Sequence, residues 1–266
     1  RLFQYRFPGG SGLEGHSFGN LFLSALTAIT GNLETAITAS SRVLAVQGQV
    51  VPATNVDVRL WAELDNGERI EGESNIGHAP SPIVRLGCVP ERPPALPRAL
   101  EAIASADLIL LGPGSLYTSL LPNLLVPELV SAIQHSRAPR LYICNLMTQP
   151  GETDGLDVRG HLRAIEAQLA SLGIDQRLFT AVLAQNDLDA SPLLELYRAR
   201  GAEPVLCDAD SLRQDGYEVT QAPLQGARPT ATLRHDPRSL SLAVMRFYRR
   251  HRKDSPQRRG ESPAVS

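Results

Sequence analysis

Three stretches of this chain gather glycines, hydroxyls, amides and carboxylates where a backbone would leave a strand or enter a helix. The first is Gly112-Pro113-Gly114-Ser115, with Thr118 and Ser119 just behind it. An aliphatic run, 107–111, leads into it. Glycines let a backbone come close to a ligand, and consecutive N–H groups can form a nest for an anion. Ser115, Thr118 and Ser119 add hydroxyl donors. The same residues also suit an ordinary strand-to-helix turn with Ser/Thr capping, and spacing alone does not separate the two. The loop contains no Lys, so it is not a Walker P-loop.

The second stretch, NLMTQPGETDG at 145–155, places Asn145, Thr148, Gln149, Glu152, Thr153 and Asp154 in one loop after another aliphatic run. Asn145 and Gln149 suit hydrogen bonds to a base or a sugar. Glu152 and Asp154 offer oxygen ligands to a divalent metal. The competing role is capping of a helix at 157–171, by Thr153 or Asp154. The third stretch is GHSFGN, 15–20, at the start of an apolar helix. Gly15, Ser17 and Asn20 there favour a phosphate at a helix N-terminus. His16 can donate to a phosphate oxygen or act as an acid–base group, and it is the one catalytic candidate if the protein is an enzyme. His161, one turn into the helix 157–171, could face the same cleft, although a structural role is the more common one for a single His such as His16 or His161.

Near the C-terminus, Arg234 and His235 stand at the end of a short run before a helix, and Tyr197 lies in the helix before the run 204–207. An aromatic ring that stacks on a base and an arginine that pairs a diphosphate suit a nucleotide. Packing within its helix is the alternative for Tyr197. There is no Gly-x-Ser-x-Gly, His-Glu-x-x-His or Cys-x-x-Cys, which disfavours serine hydrolase, zincin and thiol-redox chemistry.

Positioning such residues takes a sizeable scaffold. The chain has 266 residues, 42 % of them apolar, and a formal net charge of −2. That charge predicts neither a nucleic acid nor a membrane as partner. No apolar run approaches the roughly 20 residues of a spanning helix, and RLFQYRF followed by Pro-Gly-Gly is not a signal peptide. The expected location is the cytoplasm. Cys88, Cys144 and Cys207 sit far apart in apolar runs and read as buried thiols.

The patterning predicts helices at 15–30 and onward through Ser41. It then predicts a half-buried strand at 56–64, with Val56, Val58, Leu60, Ala62 and Leu64 on one face. Asp65-Asn66-Gly67 turns that strand into a hairpin, and 83–89 can add a third strand. From residue 97 short aliphatic strands (107–111, 141–145, 179–184, 204–207) alternate with helices (97–104, around 127–135, 157–171, 192–200). That order predicts a Rossmann-like α/β fold, a three-layer arrangement with a parallel sheet, helices on both faces and a small β-hairpin insert at about 50–90. Residues 1–252 are expected to form one domain. The final helix, from Pro237 to about Arg252, buries Leu240, Val244 and Phe247, and 253–266 is expected to be a disordered tail. In open α/β sheets ligands bind beyond the carboxyl ends of the strands, where the first two stretches fall.

Taken in order, LFQYRF, GHSFGN, GPGSLYTSLLPNLLVP and NLMTQPGETDG resemble the gluconeogenesis factor family. It is the bacterial branch of the superfamily that includes 2-phospho-L-lactate transferase. The resemblance runs from residue 2 to about residue 250. It implies a nucleotide-sugar ligand, with UDP-N-acetylglucosamine foremost, a UDP-sugar or dinucleotide more broadly, and no firm cofactor. It further implies a regulatory role in growth on gluconeogenic carbon sources, in cell shape and in peptidoglycan precursor balance. A protein partner in cell-wall synthesis and an oligomer fit that role. By position, Gly15, His16, Ser17 and Asn20, the loop Gly112–Ser115 with Thr118 and Ser119, and Asn145 line the ligand cleft. Tyr197 and Arg234 match the positions expected to hold the nucleotide-sugar.

The transferase branch moves a phospholactyl group from a guanylated donor to a deazaflavin with a divalent metal. Its equivalent of 112–119 reads Asn-Pro where this chain has Leu116-Tyr117, and it lacks the Met-Thr-Gln-Pro-Gly-Glu-Thr loop. The family also begins with a strand and a glycine-rich phosphate loop that are expected before LFQYRF. This chain begins at Arg1, so it is expected to lack its first β-α unit and to be poorly stable. Three readings follow: a nucleotide-sugar-binding regulator, a phosphotransferase-type enzyme using Mg²⁺, and a remnant that binds nothing.

Overall fold

The computed structural model describes residues 2–9, 12–44, 47–186, 188, 192–225 and 232–253. Two helices lead, α1 (Phe18–Thr30) and α2 (Leu33–Val43). Ser17 caps α1, its Oγ accepting the Asn20 N–H at 3.2 Å. Gly31, at φ 83°, ends that helix, and Asn32 caps α2. A three-stranded antiparallel sheet follows, from β1 (Arg59–Leu64), β2 (Arg69–Glu71), the short α3 (Glu73–Ile76) and β3 (Ile83–Val89), in the order β2-β1-β3. β1 is shorter than the expected 56–64. Its pairing with β3 stops at Arg59 opposite Val89, because Pro90 has no N–H to extend the ladder. Residues 56–58 therefore run on unpaired.

The larger unit comprises α4 (Pro97–Ala104), β4 (Ile109–Leu111), a π-helical turn at Leu116–Leu120, α5 (Leu121–Leu124), α6 (Pro127–His135), β5 (Arg140–Ile143), α7 (Val158–Ser171), β6 (Ala181–Gln185), α8 (Pro192–Arg198), α9 (Ala209–Gln214), β7 (Glu218–Ala222) and α10 (Pro237–Lys253). Its sheet runs β4-β5-β6-β7, with each neighbouring pair parallel. Alternation along the strands divides the core in two. Tyr142, Val182 and Ala184 face Leu162, Ile165 and Leu169 of α7. Leu141, Ile143, Ala181 and Leu183 face Leu194 of α8 and Ala243 and Phe247 of α10. Helices therefore cover both faces, as parallel strands require.

Two expectations are corrected. Residues 204–207 are not a strand of the sheet. They run antiparallel beside the loop after β5 through a single bridge, Met147 to Pro204, because the place beside β6 belongs to β7. The cap of α7 is neither Thr153 nor Asp154. Asp157 accepts the Gly160 N–H at 2.7 Å, while the Thr153 hydroxyl takes the Gln149 N–H at 2.8 Å. Cys88, Cys144 and Cys207 are all unpaired; the first two are buried and Cys207 is half-buried. The expected tail at 253–266 falls outside the described residues, apart from the last residue of α10. Among the described residues no single helix is long and apolar enough to cross a membrane.

Candidate functional site

The carboxyl end of β4 turns through Gly112, whose φ of +91° is natural only for glycine. A Cβ there would also sit 2.8 Å from the Ile143 carbonyl of β5. The loop thus lies hard against the end of the neighbouring strand. Asn145 Nδ2 donates to the Gly114 carbonyl at 2.9 Å. Among the described residues the N–H groups of Gly114 and Ser115 have no protein acceptor. Those two donors are consecutive in a turn that the next strand holds in place, as in a backbone anion site.

Hydroxyls that suit a ligand by type are partly committed within the protein. Ser115 Oγ donates to Gln149 Oε1 at 2.7 Å, and Thr118 Oγ1 donates to Glu152 Oε1 at 2.8 Å. Glu152 is buried. Its Oε2 takes the Tyr117 N–H at 3.0 Å, and Gln149 Nε2 donates to Oε1 at 2.5 Å. Burial pushes its carboxyl above the usual value against the lowering effect of these donors. The same segment reaches the antiparallel sheet, where Tyr117 OH donates to the Ile83 carbonyl at 3.0 Å; burial, with Glu152 beside it, pushes that phenol up to about 12. Ser119 is exposed, and among the described residues its hydroxyl makes no hydrogen bond. The loops after β4 and β5 are therefore one hydrogen-bonded unit.

That unit does not fit a metal. The Glu152 oxygens are turned inward to protein donors, and Asp154 Oδ2 accepts the Gly151 N–H at 2.6 Å. Among the described residues no group of three or more His, Cys, Asp or Glu is placed to hold a metal.

The third side of the edge comes from the segment before α10. His235 Nε2 donates to the Cys144 carbonyl at 3.1 Å, beside Asn145, and desolvation lowers the pKa of that ring. The hydrogen bond to the carbonyl acts the other way and raises it, by less. The Leu233 N–H donates to Tyr197 OH at 3.3 Å. Tyr197 also packs partly buried against the core on the α8 and α10 side. Arg234, between these two anchors, is exposed. Asn145, Tyr197 and Arg234 thus belong to one connected neighbourhood with Gly114.

The stretch 15–20 is placed differently. Gly15 and His16 are exposed and form a small hairpin with Arg6 and Phe7: Gly15 N–H donates to the Phe7 carbonyl at 3.0 Å, and Arg6 donates to the Gly15 carbonyl at 2.7 Å. The Ser17 hydroxyl is used as a cap, and Asn20 is exposed. Among the described residues no hydrogen bond ties this stretch to the sheet edge. His161 does not face a cleft. It is fully buried, with Nδ1 donating to the Asp157 carbonyl at 2.9 Å and Nε2 without a partner. Asn186, exposed at the end of β6 on the same edge, was not singled out from sequence; its signal was its place directly after a strand.

A family model described as 2-phospho-L-lactate transferase CofD matches residues 1–225. A protein from Nostoc sp. (strain PCC 7120) is 51 % identical over 247 residues, covering 93 % of this chain and 53 % of its own length. The gluconeogenesis factor of Bacillus subtilis (strain 168) is 39 % identical over 244 residues, 92 % of this chain and 75 % of that protein. This chain therefore spans about half the length of the Nostoc relative and three quarters of the Bacillus one. A crystal structure of a UPF0052 family member from Bacillus halodurans superposes with a TM-score of 0.82 at 40 % identity, over 92 % of this chain and 76 % of that one.

Proposed function

The chain belongs to the 2-phospho-L-lactate transferase CofD family, and from that premise we propose that it is a nucleotide-sugar-binding regulatory protein. UDP-N-acetylglucosamine is the leading ligand. The reading rests on one observation: two unpartnered backbone N–H groups, at Gly114 and Ser115, beside Asn145 at the carboxyl edge of a parallel sheet. Diphosphate oxygens suit those donors, and Arg234 adds a positive charge in the same neighbourhood. The Asn145 Oδ1, without a hydrogen-bond donor among the described residues, and the exposed Ser119 hydroxyl suit a sugar or a base. Tyr197 contributes by holding the 233–235 segment as well as by offering its ring.

The name gluconeogenesis factor carried by the Bacillus subtilis relative supports a role in growth on gluconeogenic carbon sources. Control of cell shape and of peptidoglycan precursor supply is the extension that a UDP-sugar ligand suggests. Binding without turnover fits a site whose carboxylates are spent on its own loops. The family model's description favours a second reading, a transferase acting on a phosphate ester. Incubation with UDP-N-acetylglucosamine, followed by calorimetry and by chromatography of the nucleotide, separates the two. Saturable binding with the ligand recovered unchanged supports the regulator. Conversion of the ligand, with or without added Mg²⁺, supports the enzyme. No heat at millimolar ligand contradicts the regulator with this ligand.

A further inference from the structure

The net charge of −2 hides a strongly one-sided helix. Helix α10, PRSLSLAVMRFYRRHRK, contains no acidic residue. Its inner face, with Leu240, Ala243, Val244 and Phe247 at helical spacing, packs against the core. The opposite face presents Arg238, Leu242, Met245, Arg249 and Arg252, spaced i, i+4, i+7, i+11 and i+14, with Arg246 at its margin. All of these are exposed; Leu242 and Met245 are 52 % and 43 % exposed. Arg250 is drawn back to Glu218 at 2.9 Å, and His251 meets the same carboxylate at 2.9 Å. Among the described residues Arg246, Arg249 and Arg252 have no ion-pair partner, and Arg238 has Asp236, just before the helix, as its one nearby opposite charge.

We propose that this outer face of α10 docks on an anionic lipid bilayer, with the helix lying along the surface. The stripe is straight and about 21 Å long at 1.5 Å of rise per residue. Arginine heads at both ends and the margin reach lipid phosphates. Leu242 and Met245, between Arg238 and Arg249, enter the acyl boundary. A nucleic acid would satisfy the arginines and leave the two apolar side chains in water, whereas a bilayer interface takes both kinds of group. The attachment is peripheral, since the helix is amphipathic and not apolar all round. The outer stripe of α10 carries none of the residues placed at the sheet edge, so this surface stands apart from the ligand reading.

The test is sedimentation of the whole chain with vesicles of phosphatidylcholine, with and without phosphatidylglycerol. The protein is expected to sediment with the anionic vesicles only, and less as salt rises. Arg249→Ala with Arg252→Ala should weaken binding about thirtyfold. Leu242→Gln with Met245→Gln, at unchanged charge, should weaken it roughly tenfold. These side chains face water, so the unfolding midpoint of each variant should match that of the wild type. No binding to anionic vesicles overturns the proposal. So does vesicle binding that ignores the Leu242/Met245 pair, and so does binding to a single-stranded RNA in preference to vesicles.

Discussion

The Thr118 hydroxyl donates to Glu152 Oε1 at 2.8 Å across 34 residues of sequence. With the Tyr117 N–H on Oε2 at 3.0 Å, this contact fixes the loop after β4 to the loop after β5. The geometry of the sheet edge therefore hangs on a carboxylate that the residue pattern equally suits to metal binding.

Loss of that carboxylate should be costly and coupled. Glu152→Ala leaves the buried Tyr117 N–H without its acceptor and is expected to lower stability by about 2–3 kcal/mol. Thr118→Val should cost about 1 kcal/mol. Because both remove the same contact, the double variant should cost less than the sum. Urea denaturation of the four proteins measures this, and strict additivity would show that the contact holds nothing.

His161 gives the protein an acid-side sensitivity. Burial lowers its pKa from the ordinary 6.5. A base with a depressed folded pKa contributes stability that is present above the unfolded value and lost as pH falls through the folded one. The wild type should lose stability below pH 6.5 more steeply than His161→Leu. Urea midpoints over the acid range check it; parallel profiles contradict it.

Much of the scaffold was legible because its signals are local. Helix α4 begins at Pro97 and α6 at Pro127, and proline at the first helical turn marks a start that any reading can see. The alternation of Leu60, Ala62 and Leu64 gave β1 its buried face. Strand β7 was missed because Glu-Val-Thr-Gln-Ala at the sheet edge buries only Val219. The converse error was 204–207, where Val205 is buried beside a loop, Leu206 is exposed, and neither pairs in the sheet. Within the site, the glycine loop and Asn145 stood out by composition and by position after strands. What could not be read was the partner of each hydroxyl. The Ser115–Gln149 and Thr118–Glu152 contacts depend on how two loops meet in space, and the His235 link to Cys144 spans 91 residues.

Gly112 should not tolerate a side chain. At φ +91°, with the Ile143 carbonyl 2.8 Å from a Cβ, Gly112→Ala combines backbone strain with a clash against backbone. The expected loss is about 2–4 kcal/mol, read by thermal unfolding. An unchanged midpoint contradicts the close approach of the two strand ends.

Trp61 and Gly87 are matched in the same way on the antiparallel sheet. A Cβ at Gly87 would fall 2.1 Å from the Trp61 ring, and the Arg69 guanidinium lies 4.1 Å from the ring centroid. Gly87→Ala should therefore destabilise by about 1–3 kcal/mol. In a Trp61→Ala background the same substitution should cost much less. Equal costs in the two backgrounds would show that the ring is free to move aside.

Hydrogen exchange read by mass spectrometry, with and without saturating UDP-N-acetylglucosamine, tests the location of the ligand most directly. The account predicts slowed exchange in peptides spanning 112–119 and 232–236, centred on the open N–H groups of Gly114 and Ser115, with α10 beyond residue 240 unchanged. Protection confined to the antiparallel sheet or to α1 and α2, or no protection at all, would contradict it.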